Sequence, residues 1–199
     1  MLSEALAEEG DATCCFGEFD MNLRVITATI ASLALVVSTQ TQAAVTSQST
    51  SGFAVAYEAD VTVTPQGAYD AFVQAGSWWN AAAHSYSGDG KNISIDVKPG
   101  GCWCETLKDG GFVRHMTVEQ ADPGSRLVFS GGLGPLAYMG ATGHMIVTIK
   151  PKGTGAHVKL TYAVGGHDPK KFKDLPKAVD GVLDEAFKRY TNFASTGKP

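Results

Sequence analysis

The strongest periodic pattern in the chain lies near its C-terminus, at residues 174–193. Apolar residues recur there at steps of three and four, namely Leu175, Ala178, Val179, Val182, Leu183, Ala186, Phe187 and Tyr190. This spacing places them along one stripe of an α-helix, and charged residues occupy the other side. Because an apolar stripe must be covered, the pattern predicts a long helix that packs against the rest of the domain.

Alternating apolar and polar residues predict strands upstream of this helix. The predicted strands are residues 53–64, 93–97, 102–107, 112–120, 126–130, 138–150 and 157–164. Turn signals separate them, and Asp109-Gly110 is typical of a hairpin turn. Consecutive hairpins indicate an antiparallel sheet.

Two short helical segments are predicted after the first strand. Thr64-Pro65 supplies an N-cap followed by a proline at the first helical position, and residues 77–80 indicate a second short helix or turn. The whole order predicts an α+β fold. In that fold a curved antiparallel sheet of about seven strands wraps around the long C-terminal helix.

The N-terminal segment differs from the rest of the chain. Met21-Asn22-Leu23-Arg24 is a short basic start, a 13-residue apolar run follows at 25–37, and Thr41-Gln42-Ala43 ends in small residues. This layout is typical of a secretory signal peptide over residues 21–43, and the run is short for a membrane span of ~20 residues. An uncleaved anchor is the alternative. We expect translation to start at Met21, because the six acidic residues within 1–20 contradict a basic signal start.

The mature chain is therefore expected to be periplasmic or secreted. Residues 44–52 are Ser/Thr/Gln-rich and typical of a flexible lead-in, and residues 53–195 form the predicted domain. Without residues 1–43 the chain keeps 156 residues with 15 basic and 14 acidic side chains. This balance argues against a nucleic-acid partner. We expect no cofactor, no metal and no membrane span in the mature form, and the oligomeric state stays open.

Two cysteines, Cys102 and Cys104, remain in the mature sequence. At positions i and i+2 of a strand they share a face, with Cα atoms about 6.5–7 Å apart, at the edge of disulfide reach. A strained disulfide is one interpretation in an exported protein. We favour two packed free thiols, because cysteine often behaves as a small buried apolar residue.

Several motifs follow one another in a fixed order along residues 53–193. They are Val61-Thr62-Val63-Thr64-Pro65, Trp78-Trp79, Pro99-Gly100-Gly101-Cys102-Trp103-Cys104-Glu105, His115-Met116, Ala121-Asp122-Pro123-Gly124 and Gly132-Leu133-Gly134-Pro135-Leu136. With the final helix, this set resembles the SRPBCC or START-like superfamily, also called the helix-grip fold. Within it, the chain is most similar to bacterial polyketide cyclase/dehydrase, lipid-transport and AHSA-like (heat-shock ATPase activator homologue) domains. The resemblance implies a cavity between sheet and helix, but functions vary too widely for the fold to select one.

Aromatic and polar residues on the predicted inner faces are candidates for lining such a cavity. The candidates are Trp78, Trp79, Trp103, Glu105, Phe112, Arg114, Tyr138 and Tyr162. Small-molecule sites are mostly apolar with a few placed polar groups, and Glu105, Arg114 and Tyr138 would suit that role. The aromatic side chains could equally fill the interior as core.

Glu105 is the carboxylate of most interest, because it alternates onto the face of Trp103. A carboxyl group in an apolar pocket has a raised pKa and can act as a general acid or base. We favour the plainer role of a strand residue near the rim, paired with Arg114 or a lysine. The histidines are scattered along the sequence, and none is singled out as a proton carrier.

The leading hypothesis is an exported single-domain protein that binds a small hydrophobic molecule, of lipid, sterol or polyketide type. The alternative is a cyclase or dehydratase-type enzyme, with Glu105 as acid or base and Arg114 or Tyr138 polarising an oxygen. A second alternative is an AHSA-like protein-interaction domain. The signal peptide counts against it, because cytosolic ATP-driven chaperones are absent from the export compartment.

Overall fold

The computed structural model describes residues 44–167 and 171–199 of the chain. The predicted upstream extension and signal peptide lie outside these residues. The described helices are α1 Pro65–Val73, α2 Ala75–Trp78, α3 Ala81–His84 and α4 Leu175–Thr196. The described strands are β1 Ala44–Gln48, β2 Gly52–Val61, β3 Ile93–Ile95, β4 Cys102–Thr106, β5 Phe112–Asp122, β6 Arg126–Ser130, β7 Ala141–Lys152 and β8 Gly155–Gly166. Among the described helices, none is both long and apolar enough to cross a membrane.

The eight described strands form one curved sheet that does not close into a barrel. Their order is β1-β2-β8-β7-β6-β5-β4-β3, and every neighbouring pair is antiparallel. The long helix α4 packs against β1 and β2 and against the short helices α1 and α2. The predicted α+β class, with a curved antiparallel sheet and a long C-terminal helix, is confirmed.

The strand count exceeds the expected seven because β1 lies in the segment expected to be a flexible lead-in. Ala44–Gln48 pairs antiparallel with β2, and Gln48 Nε2 donates to the carbonyl oxygens of Phe172 (3.2 Å) and Lys173 (3.0 Å). An edge strand pairs on one side only, so a polar sequence without clear alternation can form one. For this reason the local pattern did not predict it.

The short helices follow the predicted signals with one difference. Thr64 Oγ1 accepts a hydrogen bond from the amide of Gly67 at 3.2 Å, and Pro65 occupies the first position of α1, as predicted. The expected second segment, residues 77–80, overlaps only the end of α2, because the backbone at Trp79 is extended. The helix α3 follows this break and was not predicted. This break sends the neighbouring side chains of Trp78 and Trp79 to different surroundings.

Phe72 lies fully buried at the centre of an aromatic core. Its ring contacts those of Trp78, Trp103, Phe129 and Tyr190, with centroid separations of 5.1 to 6.2 Å. These rings come from α2, β4, β6 and α4, and Phe72 belongs to α1. One cluster therefore joins the helices to the sheet.

Polar contacts also hold α4 against the sheet and against α2. Tyr57 Oη on β2 donates to Asp180 Oδ1 at 2.8 Å, and Arg189 Nε donates to the carbonyl oxygen of Trp78 at 2.7 Å. Burial, together with the nearby Asp180 carboxylate, raises the pKa of Tyr57 far above its ordinary value. The hydroxyl therefore keeps its proton at neutral pH and remains a donor.

Cys102 and Cys104 form a disulfide, and the expectation of two free thiols is wrong. Their Cα atoms lie 5.3 Å apart, closer than two residues of an extended strand and within the usual disulfide range. The β4–β5 ladder shifts register between Trp103 and Cys104, so the pairing here is irregular. As predicted, the cysteines lie on the face opposite Trp103 and Glu105, which are both buried.

Candidate functional site

A cavity of about 360 Å³ lies beside the first half of α4. Its walls are mostly apolar. Leu175, Val179 and Val182 line it from α4, and Trp79 and Trp103 line it from the α2–α3 break and from β4. Two of the predicted aromatic side chains therefore contribute to one cavity.

The segment between β6 and β7 forms another wall of the cavity. It contains the 3-10 turn Gly134–Tyr138, whereas the sequence predicted that a strand begins at Tyr138. Leu133 and Leu136 of this segment line the cavity. Tyr162, buried on β8, donates to the carbonyl oxygen of Gly131 and accepts from the Leu133 amide, each at 3.0 Å. Burial raises the pKa of Tyr162 to about 12, so its hydroxyl stays protonated. Tyr162 thus positions this wall from the core beneath it.

Glu105 is fully buried on β4. Its carboxylate accepts hydrogen bonds from the backbone amides of Ser87 and Tyr86, the latter at 3.2 Å, and lies 3.2 Å from His115 Nε2. Burial by itself raises the pKa of Glu105, but the hydrogen bonds from Ser87, Tyr86 and Ser85 together outweigh it and hold the pKa below its ordinary value. Glu105 is therefore a carboxylate at neutral pH.

A β-bulge brings His115 into the interior. In the β4–β5 ladder Trp103 pairs with Met116 and Cys104 pairs with Arg114, so His115 is the additional residue on β5. Its neighbour Met116 is buried as well, although consecutive strand residues normally face opposite sides. The bulge therefore reverses which residues of β5 face inward before and after it.

His115 is neutral and has a defined tautomer. Burial lowers the pKa of His115, and the neighbouring Glu105 carboxylate only partly opposes this effect. Because a carboxylate has no proton to give, Nε2 carries the hydrogen of the shared bond, and Nδ1 of the neutral ring is an acceptor. Nδ1 is buried and has no hydrogen-bond partner among the described residues. Tyr86 stacks on the ring at 6.0 Å, and both side chains line the cavity.

The remaining sequence candidates divide into core and surface residues. Trp78 is buried in the core, where its Nε1 donates to the carbonyl oxygens of Ala71 and Phe72. Phe112, Arg114 and Tyr138 are exposed, Phe112 by 73% and Tyr138 by 71%.

Glu105 was expected to pair with Arg114 or a lysine, but it pairs with His115. The bulge leaves Arg114 on the outer face of the sheet and turns His115 inward. Sequence reasoning missed His115 and Tyr86 as cavity residues. The adjacent apolar and polar residues His115-Met116 gave no signal that could separate a bulge from ordinary alternation.

We expect acid to destabilise the protein partly through His115. Its pKa lies below the ordinary value in the folded protein, whereas in the unfolded chain it is about 6.5. Below about pH 6.5 the unfolded chain takes up a proton that the folded protein excludes, so the free energy of unfolding falls with pH. Urea denaturation between about pH 7.5 and 5.5 should show a shallower pH dependence for His115→Phe than for the wild type. His144→Asn, an exchange at an exposed histidine, serves as the control. If the free energy of unfolding depends equally on pH in all three proteins, His115 is not a source of the acid sensitivity.

Comparison with known proteins shows that the chain shares its fold with several solved structures. No family model matches the chain, and no curated protein matches its sequence. The conserved protein of unknown function EF2215 from Enterococcus faecalis is similar with a TM-score of 0.55 at 10% identity, over 80% of both chains. The Aha1 dimer from Colwellia psychrerythraea is similar with a TM-score of 0.53 at 15% identity, over 73% of this chain and 98% of that chain. Protein NE0264 from Nitrosomonas europaea is similar with a TM-score of 0.51 at 10% identity, over 73% of this chain and 96% of that chain.

These similarities and the geometry define the class of protein at the level of its fold. The chain shares with these proteins an α+β fold in which a curved antiparallel sheet packs against a long C-terminal helix. A mostly apolar cavity lies beside that helix, and the buried Glu105–His115 pair lies at its wall. Identities this low show a shared fold alone, and a fold by itself selects no function.

Proposed function

We propose that this protein binds a small, mostly apolar molecule in the cavity beside α4, as a member of the SRPBCC or START-like superfamily. The cavity itself, of about 360 Å³, is the observation that carries the proposal. Protein sites for small molecules are concave, measure about 300–1,000 Å³ and combine apolar walls with a few polar groups. The fold that the chain shares with solved helix-grip proteins supports the superfamily.

The apolar stripe of α4 serves two purposes. In its second half, Ala186, Phe187 and Tyr190 are buried in the core. In its first half, Leu175 and Val179 are only half-buried and line the cavity. A bound apolar molecule would cover these side chains, and each Å² of apolar surface removed from water contributes about 25 cal/mol. The uncovered half of the stripe favours a binding site over a closed core.

A cavity-filling exchange tests the proposal. Val179→Trp should place an indole in the cavity and weaken binding of the neutral dye Nile red about tenfold or more, because the added ring occupies the volume that the dye needs. Fluorescence titration of purified mature protein measures this change.

Lys177→Trp is the matched control for the dye titration. Lys177 lies on the exposed side of the same helix, two residues away, so this variant should bind the dye within about twofold of the wild type. Circular dichroism confirms that both variants are folded. A folded Val179→Trp variant with unchanged dye affinity would refute the cavity as the binding site.

We also propose that the mature protein is periplasmic or secreted and begins after Ala43. The basic start, the apolar run and the small residues at 21–43 support export. Native mass spectrometry of the protein from its own cell envelope checks this proposal, with an N-terminus near Ala44 as the expected result. The same spectrum reports any retained small molecule. A mass that begins at Met1 would contradict export and restore the co-chaperone alternative.

The enzyme alternative, with Glu105 as acid or base, has weaker support. Its carboxylate already accepts hydrogen bonds from two backbone amides and from His115, and its pKa is held below the ordinary value. Arg114 and Tyr138, the proposed partners for a substrate oxygen, are exposed. In the described part of the chain neither lines the cavity. Binding is therefore the function that the geometry supports best.

A further inference from the structure

We infer that the ligand of this cavity is a neutral, largely apolar compound that carries a hydroxyl group, and that His115 Nδ1 accepts the hydrogen bond from this hydroxyl. The inference rests on the proposed function and specifies its ligand class. Glu105 acts as a positioning residue, because its carboxylate determines which ring nitrogen carries the proton.

The burial and orientation of His115 Nδ1 are set by the surrounding strands. His115 is 8% exposed and lines the cavity, and its Nδ1 is buried without a hydrogen-bond partner in the described ranges. An unpaired polar atom in the interior lowers stability, so most such atoms are paired in native proteins. Here a β-bulge and a buried carboxylate are both required to bring the ring inside and orient it. A hydroxyl from a ligand would satisfy the remaining nitrogen.

Three other polar side chains of the cavity wall already have partners. Trp79 Nε1 donates to the carbonyl oxygen of His84 at 2.9 Å, and the His84 ring lies 3.0 Å from Glu185. Ser85 Oγ accepts from the amide of Gly88 at 2.9 Å. His115 Nδ1, by contrast, is buried without a partner in the described ranges, and we take it as the acceptor for a ligand.

The charge of the wall indicates a neutral ligand. Among the described residues that line the cavity there is no Asp, Glu, Lys or Arg. The Glu105 carboxylate lies behind the imidazole, 3.2 Å from Nε2, and would oppose a second negative charge nearby. Tyr86 covers a face of the ring, and its own ring meets that of Tyr138 at 6.4 Å. An alcohol or phenol fits these surroundings, whereas a carboxylate would find no Lys or Arg among the described lining residues to pair with it.

A matched pair of probes tests the inference. 2-Naphthol carries the hydroxyl, and 2-fluoronaphthalene has nearly the same shape without a donor. Isothermal titration calorimetry of the mature protein near neutral pH should give about tenfold tighter binding of 2-naphthol, because only the hydroxyl pairs the buried acceptor. In the His115→Phe variant, which keeps a ring but removes the acceptor, the preference should fall to about twofold or less.

His115→Asn provides a conservative rescue, because its amide oxygen can take the place of Nδ1 and should restore part of the preference. His144→Asn, an exchange at an exposed histidine on β7, is the control and should preserve the wild-type preference. Nitrogen-15 NMR of the wild-type imidazole adds a measurement that needs no variant. The Nδ1 resonance should be that of an unprotonated nitrogen and should shift with 2-naphthol but not with 2-fluoronaphthalene.

The outcomes separate this inference from the proposed function. Equal affinity of the wild type for both probes would overturn the hydroxyl inference and leave cavity binding in place. A folded His115→Phe variant that keeps the full preference for 2-naphthol would also overturn it, as would a protonated Nδ1. If neither probe binds and Nile red does not bind either, the proposed function fails together with the inference.

Discussion

Replacing Phe72 by alanine will lower the free energy of unfolding by about 3–5 kcal/mol. Phe72 is fully buried, and its ring contacts four other aromatic rings from α2, β4, β6 and α4. Removal of the ring loses its burial and leaves a void that these side chains, held by different elements, cannot close together. Urea denaturation followed by tryptophan fluorescence measures the change.

Phe112→Ala is the matched control for this exchange. Phe112 is the first residue of β5, and its side chain is 73% exposed. Its replacement should change the free energy of unfolding by about 0.5 kcal/mol or less. Comparable losses from both exchanges would contradict the placement of these rings and would support the sequence-based expectation that Phe112 faces inward.

Replacing Glu105 by leucine will lower the free energy of unfolding by about 3–5 kcal/mol. The exchange removes the acceptor for the partly buried amides of Tyr86 and Ser87 and for the buried Nε2–H of His115, and it leaves these donors without it. Urea denaturation measures the loss. Hydrogen exchange at the Tyr86 and Ser87 amides should accelerate beyond the rate that the global destabilisation alone explains.

Glu58→Leu provides the control for Glu105→Leu. Glu58 is an exposed strand glutamate whose ion pairs within the described residues are long, at 3.7 Å to Lys159 and 3.9 Å to His157. Such pairs contribute little, so the control should lose about 1 kcal/mol or less. If both leucine variants unfold at the same urea concentration as the wild type, the hydrogen bonds of Glu105 to Tyr86, Ser87 and His115 do not stabilise the fold.

At the candidate site, the sequence pattern predicted the position of Glu105 but not that of His115. Alternation correctly placed Glu105 on the inner face with Trp103, because burial alternates from one residue to the next along β4. Alternation also placed Phe112 and Arg114 inside, which is wrong, because β5 contains a bulge at His115. A single added residue moves every preceding side chain to the other face.

The break between α2 and α3 has a similar effect on the two adjacent tryptophans. Both were reasonable cavity candidates, yet Trp78 donates its indole N–H within the core and Trp79 lines the cavity. Tyr162 was expected to contact a ligand and instead holds the segment between β6 and β7. These roles depend on backbone atoms contributed by distant residues, which no local pattern records.

The sequence by itself determined the α+β class, the long helix α4, most of the strands and the cap at Thr64-Pro65. Each of these depends on residues close in the chain, through the helical or strand period or through a local hydrogen bond. Tertiary structure alone decided the edge strand β1, the disulfide, the inward position of His115 and the volume of the cavity. These features arise where separate elements pair or leave space between them, so their free energy depends on contacts between residues that are far apart in sequence.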